Sequence, residues 1–265
     1  MMGPPIATFT KGKGPLIAVA IHAGGHMRRS LLQYCQLDRS QRQREEDPFT
    51  ERIANVARSR VVGSRSRFEV DLNRPPQKAI YLKPEDAWGL EVYRDLPWDE
   101  RDISMRMYDA FYEEMRRTMD ETLRMHDTVV VLDVHSYNHQ RSGPGIAADP
   151  EKNPDVNIGT GNMDRSVWAT VVDGLVEQLR RPMRDGRVLD VRENVKFKGG
   201  YFSKWLYDNY GARVCPIAIE FKKIFMDEWT GEPDMDMVED LRAHLEQATQ
   251  AVIGILDDRA AVQRR

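Results

Sequence analysis

The chain has 265 residues, 41% of them hydrophobic, with 39 basic and 42 acidic side chains giving a net charge of −3. That is enough length and apolar content for one large α/β domain spanning residues 1–265, and the balanced charge excludes a field that would gather nucleic acid or an anionic membrane. Two cysteines, Cys35 and Cys215, lie far apart and in no CxxC spacing, which excludes a disulfide framework and a thiolate zinc site and points to the cytoplasm.

The first apolar run, PLIAVAI, predicts a strand that ends at His22 and a Gly-Gly turn. Its apolar stretch, Leu16 to Ile21, is far shorter than a signal-peptide core or a membrane span of about 20 residues, so no targeting or anchoring segment is expected. REEDPFTERIA reads as a helix start, with Asp47 as N-cap, Pro48 in the first turn and Glu45, Glu46 and Glu51 complementing the macrodipole. SRVVGSR and FEVDLN predict strands, and Asn73 to Pro97, rich in proline and acidic residues, a surface loop. Ile103, Met107, Phe111, Met115 and Met119 stripe a helix over Asp99 to Arg124. TVVVLDV is a strand leading to His135, and Ser136 to Asn162, with four glycines, is a second long loop. Helices are predicted over Met163 to Arg180 and Met237 to Leu256, and between them ARVCPIAIEF reads as a strand. Strands alternating with long helices give an α/β fold: a mixed, mainly parallel sheet flanked by helices on both faces.

Two histidines at the ends of separate buried strands sit at the rim where open α/β sheets place ligand chemistry. With a carboxylate nearby, His22 and His135 make the ligand set of a catalytic zinc, which keeps a position open for water. Each could equally be a satisfied core histidine. Side-chain alternation puts Asp133 on the same face as His135, where it could orient a ring nitrogen. His26 and His139 are reserve ligands. Arg67 and Arg74 could form a fork for a substrate carboxylate or belong to ordinary ion pairs. Glu220 lies inside an apolar strand, where an ionised carboxylate is costly unless paired or catalytic, and beside a metal it could act as general base. VKFKGGYFSK could supply donors from Lys198 and Tyr201 or be a tight turn.

HAGG, EEDPFTE, SRFEVDLNRP, LDVHS, FKGGY and IAIEF occur in the order and approximate spacing of the N-formylglutamate amidohydrolase family, which this chain resembles over about residues 16 to 229. The resemblance implies a fold similar to zinc carboxypeptidases and aspartoacylases, with one zinc per chain at the strand ends. It implies His22 and His135 as ligands with Glu46 or Asp47, and Glu220 as general base. Arg67 would polarise the scissile carbonyl, Asn73 and Arg74 would bind a substrate carboxylate, and the substrate would be a small anionic N-acyl amino acid. GGHMRRS and the arginine-rich SQRQRE depart from familiar members and place the chain in a divergent branch, whose long loop carries His139 and Arg141. Rival readings are a metallocarboxypeptidase-like hydrolase of peptides or modified amino acids, and a metal-binding protein of the same fold without turnover. A nucleophilic hydrolase is disfavoured, because no GxSxG elbow surrounds Ser136.

Overall fold

The computed structural model describes residues 3–263. In chain order the elements are β1 (Ala7–Thr10), β2 (Leu16–Ala20), α1 (Arg29–Leu32), α2 (Arg39–Glu45), α3 (Thr50–Ile53), β3 (Ser59–Gly63), α4 (Trp98–Met125), β4 (Val129–Tyr137), β5 (Val156–Gly159), α5 (Ala169–Leu179), β6 (Val191–Glu193), α6 (Tyr201–Tyr210), β7 (Val214–Lys222) and α7 (Met235–Gln263). The strands form one sheet in the order β1-β3-β2-β4-β7-β5-β6. β3, β2, β4 and β7 run parallel, as do β5 and β6, while β1 on β3 and β5 on β7 are antiparallel. This is the mixed, mainly parallel sheet expected from the alternating pattern.

The core strands are apolar on both faces because helices cover both. Leu16, Ala18 and Ala20 of β2, Val130, Leu132 and Val134 of β4, and Ile217 and Ile219 of β7 pack with α3, α5 and α7. The opposite set, Ile17, Val19, Val129, Val131 and Val214, packs with α4 and α6. The period of two then sends Asp133 and His135 of β4, and Glu220 of β7, toward the α4 and α6 face. A third cluster, including Phe68, Tyr81, Val92 and Leu96, lies beneath residues 73–97, so that predicted loop has a packed interior.

Two local expectations are corrected. FEVDLN is not a strand but a series of turns. Its alternation provides no solvent face, since Glu69 and Asp71 are as buried as Phe68, Val70 and Leu72. Glu69 meets Arg28 and Arg65, and Asp71 meets Arg67 and His22. Asp47 does not cap the following helix: Phe49, at φ 70°, takes the N-cap position of α3 without a side-chain bond. The Asp47 carbonyl receives the Thr50 N–H and hydroxyl instead, which frees its carboxylate.

Candidate metal centre

His22 follows β2 at the carboxyl edge of the parallel strands, in a turn that needs glycine. A Cβ on Gly24 would come 2.2 Å from the Ser64 carbonyl carbon. The His22 carbonyl accepts the Asp47 N–H at 3.0 Å, which brings residue 47 beside the strand end. Asp47 Oδ2 lies 2.9 Å from His135 Nδ1 and 3.6 Å from His22 Nδ1. All three side chains are buried, and one ligand atom from each falls within 4.8 Å of the others. Both imidazoles therefore turn Nδ1 to a common centre.

Their other nitrogens face carboxylates. His22 Nε2 lies 2.7 Å from Asp71 Oδ1. His135 Nε2 lies 3.0 Å from Asp133 Oδ1, a close charge contact without aligned hydrogen-bond geometry, and 3.4 Å from Asn73 Nδ2. A proton held on Nε2 by such a partner leaves the Nδ1 lone pair for a metal. Burial by itself would raise the Asp47 carboxyl, but His135 and His22 hold it far below the usual carboxylate range. Burial would likewise lower His135, and Asp133 followed by Asp47 pushes it well above an ordinary histidine. Two imidazoles and an ionised carboxylate are a donor set suited to a divalent ion, so the residues fit a metal.

Glu46 is not part of this cluster. Its carboxylate receives the Ser66 hydroxyl, and burial raises it. His26 is exposed and pairs by backbone with Arg65, while His139 lines a neighbouring cavity. Glu220 is the direct cross-strand neighbour of His135 and lines the cavity that holds the His22, Asp47 and His135 cluster, where burial raises its carboxyl to about 7.

That cavity, of about 370 Å³, is lined by His22, Asp47, His135 and Glu220, and by six cationic side chains: Arg67, Arg74, Arg141, Lys196, Lys198 and Lys223. Among the described residues Glu45 is the only other carboxylate in its wall, so the cavity favours anions. Arg67 donates to Asp71 Oδ2 at 2.9 Å and to the Tyr81 hydroxyl at 3.1 Å. Arg74 is a third exposed, bonds the Asp86 carbonyl and lies over the Tyr81 ring. Asn73 reaches the cavity, but its Oδ1 accepts the Phe202 N–H at the start of α6. Tyr201, expected beside the substrate, instead packs edge-on against Tyr112 in the core under α4.

Three participants escaped the sequence reading. Asp71 falls in the FEVDLN run that reads as a strand, and its partner His22 is 49 residues away. Lys223 is fully buried, donates to the carbonyls of Arg44 and Glu46, and is lowered to about 8 by burial. Asn157 of β5 bonds the backbone of Lys196 and Phe197 and so holds one wall of the cavity. The only sequence signal for Lys223 was a lysine next to an apolar strand.

The family model for N-formylglutamate amidohydrolase matches residues 14–226. The chain belongs to that family. Two solved structures share the fold of this N-formylglutamate amidohydrolase family member. An N-formylglutamate amidohydrolase from Ralstonia eutropha JMP134 is 18% identical with a TM-score of 0.71, over 95% of this chain and 97% of that one. A gene product of Agrobacterium tumefaciens is also 18% identical, with a TM-score of 0.66, over 94% of this chain and 96% of that one. No curated protein sequence matches. Family and fold together support an amidohydrolase-type hydrolase, and His22, Asp47 and His135 form a cluster that could hold a metal ion. Among the described residues, no helix is long and apolar enough to cross a membrane.

Proposed function

We propose that this chain is a zinc-dependent amidohydrolase that cleaves the amide bond of a small anionic N-acyl amino acid, with N-formyl-L-glutamate as the first substrate to try. The observation that carries the reading is the pairing of His135 with Glu220 across β4 and β7, beside the His22, Asp47 and His135 cluster. His22, Asp47 and His135 would hold the zinc, which when bound would acidify water and polarise the scissile carbonyl.

The remaining roles belong to side chains of the cavity. Glu220, raised toward neutrality by burial, accepts the proton of the attacking water and can return it to the leaving amine. Arg67, fixed between Asp71 and Tyr81, places a guanidinium where negative charge develops on the carbonyl oxygen. Arg74, which bonds the Asp86 carbonyl, stands 3.8 Å from Asp71 Oδ2 and keeps a part-exposed head, binds the α-carboxylate of the substrate. Asn73 is held by the Phe202 N–H that its Oδ1 accepts and does not present a free amide, and Lys198 adds positive charge at the rim.

The test combines elemental analysis with hydrolysis of N-formyl-L-glutamate. About one zinc per chain is expected, lost in His22→Ala and His135→Ala. Glu220→Gln should retain the zinc and lose turnover by about 10²–10⁴-fold. A wild-type protein that cannot be loaded with zinc would sink the hydrolase reading.

A further inference from the structure

Arg141 stands on the segment after β4, and its guanidinium meets the Glu45 carboxylate through two contacts, Nη1 to Oε1 at 3.2 Å and Nη2 to Oε2 at 2.8 Å. This is the fork by which arginine recognises a carboxylate. Both residues line the cavity that contains the His–Asp–His cluster. The Arg141 side chain is 45% exposed and that of Glu45 only 6%, so an incoming anion can reach the guanidinium.

The backbone before Arg141 is held by a separate device. Buried Glu228 accepts the N–H groups of His139 at 2.7 Å and Gln140 at 3.0 Å, and the Trp229 indole donates to the Gln140 carbonyl at 3.1 Å. The pair holds only the guanidinium end of the side chain, so it does not account for a second anchor on the backbone that carries Arg141. Fixing the point where Arg141 leaves the chain makes sense if the guanidinium has a target in the cavity. Arg141 and Lys196 also line an adjoining cavity of about 230 Å³, so positive charge continues beyond the first one.

We propose that Arg141 is the residue that reads the side-chain carboxylate of an N-acyl amino acid substrate, exchanging its Glu45 partner for that group. The assignment rests on the hydrolase reading above, in which Arg74 takes the α-carboxylate. Glu45 occupies the fork in the free protein and sets a threshold. A carboxylate on the substrate side chain can replace it, whereas a neutral amide of the same size brings no charge and leaves the ion pair in place. Glu228 is a positioning residue that acts through Arg141.

The test compares N-formyl-L-glutamate with N-formyl-L-glutamine, which match in size and differ by one charge. Binding of each is measured by calorimetry to zinc-loaded Glu220→Gln protein, alone and with Arg141→Gln, Glu45→Gln or Glu228→Gln added. The parent is expected to bind the glutamate compound at least about tenfold more tightly, as a charged hydrogen-bonded pair allows. Arg141→Gln should bring the two affinities within about twofold of each other, and Glu228→Gln should narrow their ratio. Glu45→Gln should widen it, because the competing carboxylate is gone, and a merely structural pair would not produce that sign. Equal affinities in the parent, no measurable binding of either ligand, or an unchanged ratio in Arg141→Gln would overturn the assignment. Turnover by the unsubstituted protein is read separately. Hydrolysis without charge selection overturns Arg141 and leaves the hydrolase, and selection without hydrolysis does the reverse.

Discussion

Replacing Asp71 by asparagine tests whether the imidazole of His22 is prepared for a metal. Each oxygen of this buried carboxylate is already engaged: Oδ1 with His22 Nε2 and the Asn73 N–H, both at 2.7 Å, and Oδ2 with Arg67 Nη2 at 2.9 Å and the Tyr81 hydroxyl. An amide can be set there in two ways. With its oxygen toward His22, the NH2 group confronts a guanidinium that has no acceptor, and a buried charge loses its partner at a cost of about 3–5 kcal/mol of stability. With its oxygen toward Arg67, the NH2 group faces His22 Nε2, which must then accept. The ring proton moves to Nδ1, the nitrogen turned toward Asp47, and the lone pair for the metal is lost. Partners of this kind are worth about 10–100-fold in metal affinity, or about 1.4–2.7 kcal/mol. Zinc affinity would be measured by competition with a chromophoric chelator, and stability by urea unfolding of the same samples. An Asp71→Asn protein with wild-type zinc affinity and a wild-type urea midpoint would refute the reasoning.

Burial raises the Glu220 carboxyl to about 7, above the roughly 4.3 of an unfolded chain, so the folded protein holds this proton more tightly. That contribution to stability is complete below the unfolded value and is lost as pH rises through the folded one. In metal-free protein, the urea midpoint of Glu220→Gln should therefore gain on wild type between about pH 5 and pH 8, and a constant gap would contradict it. Arg67→Ala should lower kcat on N-formyl-L-glutamate by about 10²-fold, whereas Arg74→Ala should appear first as a raised KM. Unchanged kinetics in either variant would remove that residue from its role. A Cβ at position 200 would lie 2.2 Å from Asn73 Oδ1, so Gly200→Ala should displace Asn73 and cost about 1–3 kcal/mol. An unaltered Tm by scanning calorimetry would show that the contact relaxes freely.

The strands and helices that build the core were legible because their patterns are local. PLIAVAI, TVVVLDV and ARVCPIAIEF became β2, β4 and β7, and the methionine stripe became α4. β1, β5 and β6, of three or four residues each, carried too little pattern to stand out, and β5 lay inside a segment read as loop. α6 was hidden behind the Gly-Gly turn that precedes it. Both histidines were legible as polar breaks at the ends of apolar runs. The choice between Glu46 and Asp47 was not, because it depends on the turn at Phe49 and on a hydrogen bond back to His22. The Glu45–Arg141 pair spans 96 residues and Lys223 reaches the Glu46 carbonyl across 177, distances over which local spacing carries no signal. Tyr201 misled for a related reason: its neighbours Lys198 and Gly200 do reach the cavity, but Tyr201, the first residue of α6, turns its partly buried ring against Tyr112 instead.

The pairing of His135 with Glu220 has a further consequence for how this protein can change. These two side chains stand on adjacent central strands, and a slip of one residue would send one of them to the opposite face of the sheet. Their spacing is thus set by the hydrogen-bond ladder and is insulated from insertions elsewhere. Arg141 hangs from a connecting segment, where sequence can drift without disturbing that ladder. Substitutions in the stretch between β4 and β5 can therefore reshape the rim of the cavity while the spacing of His135 and Glu220 is kept.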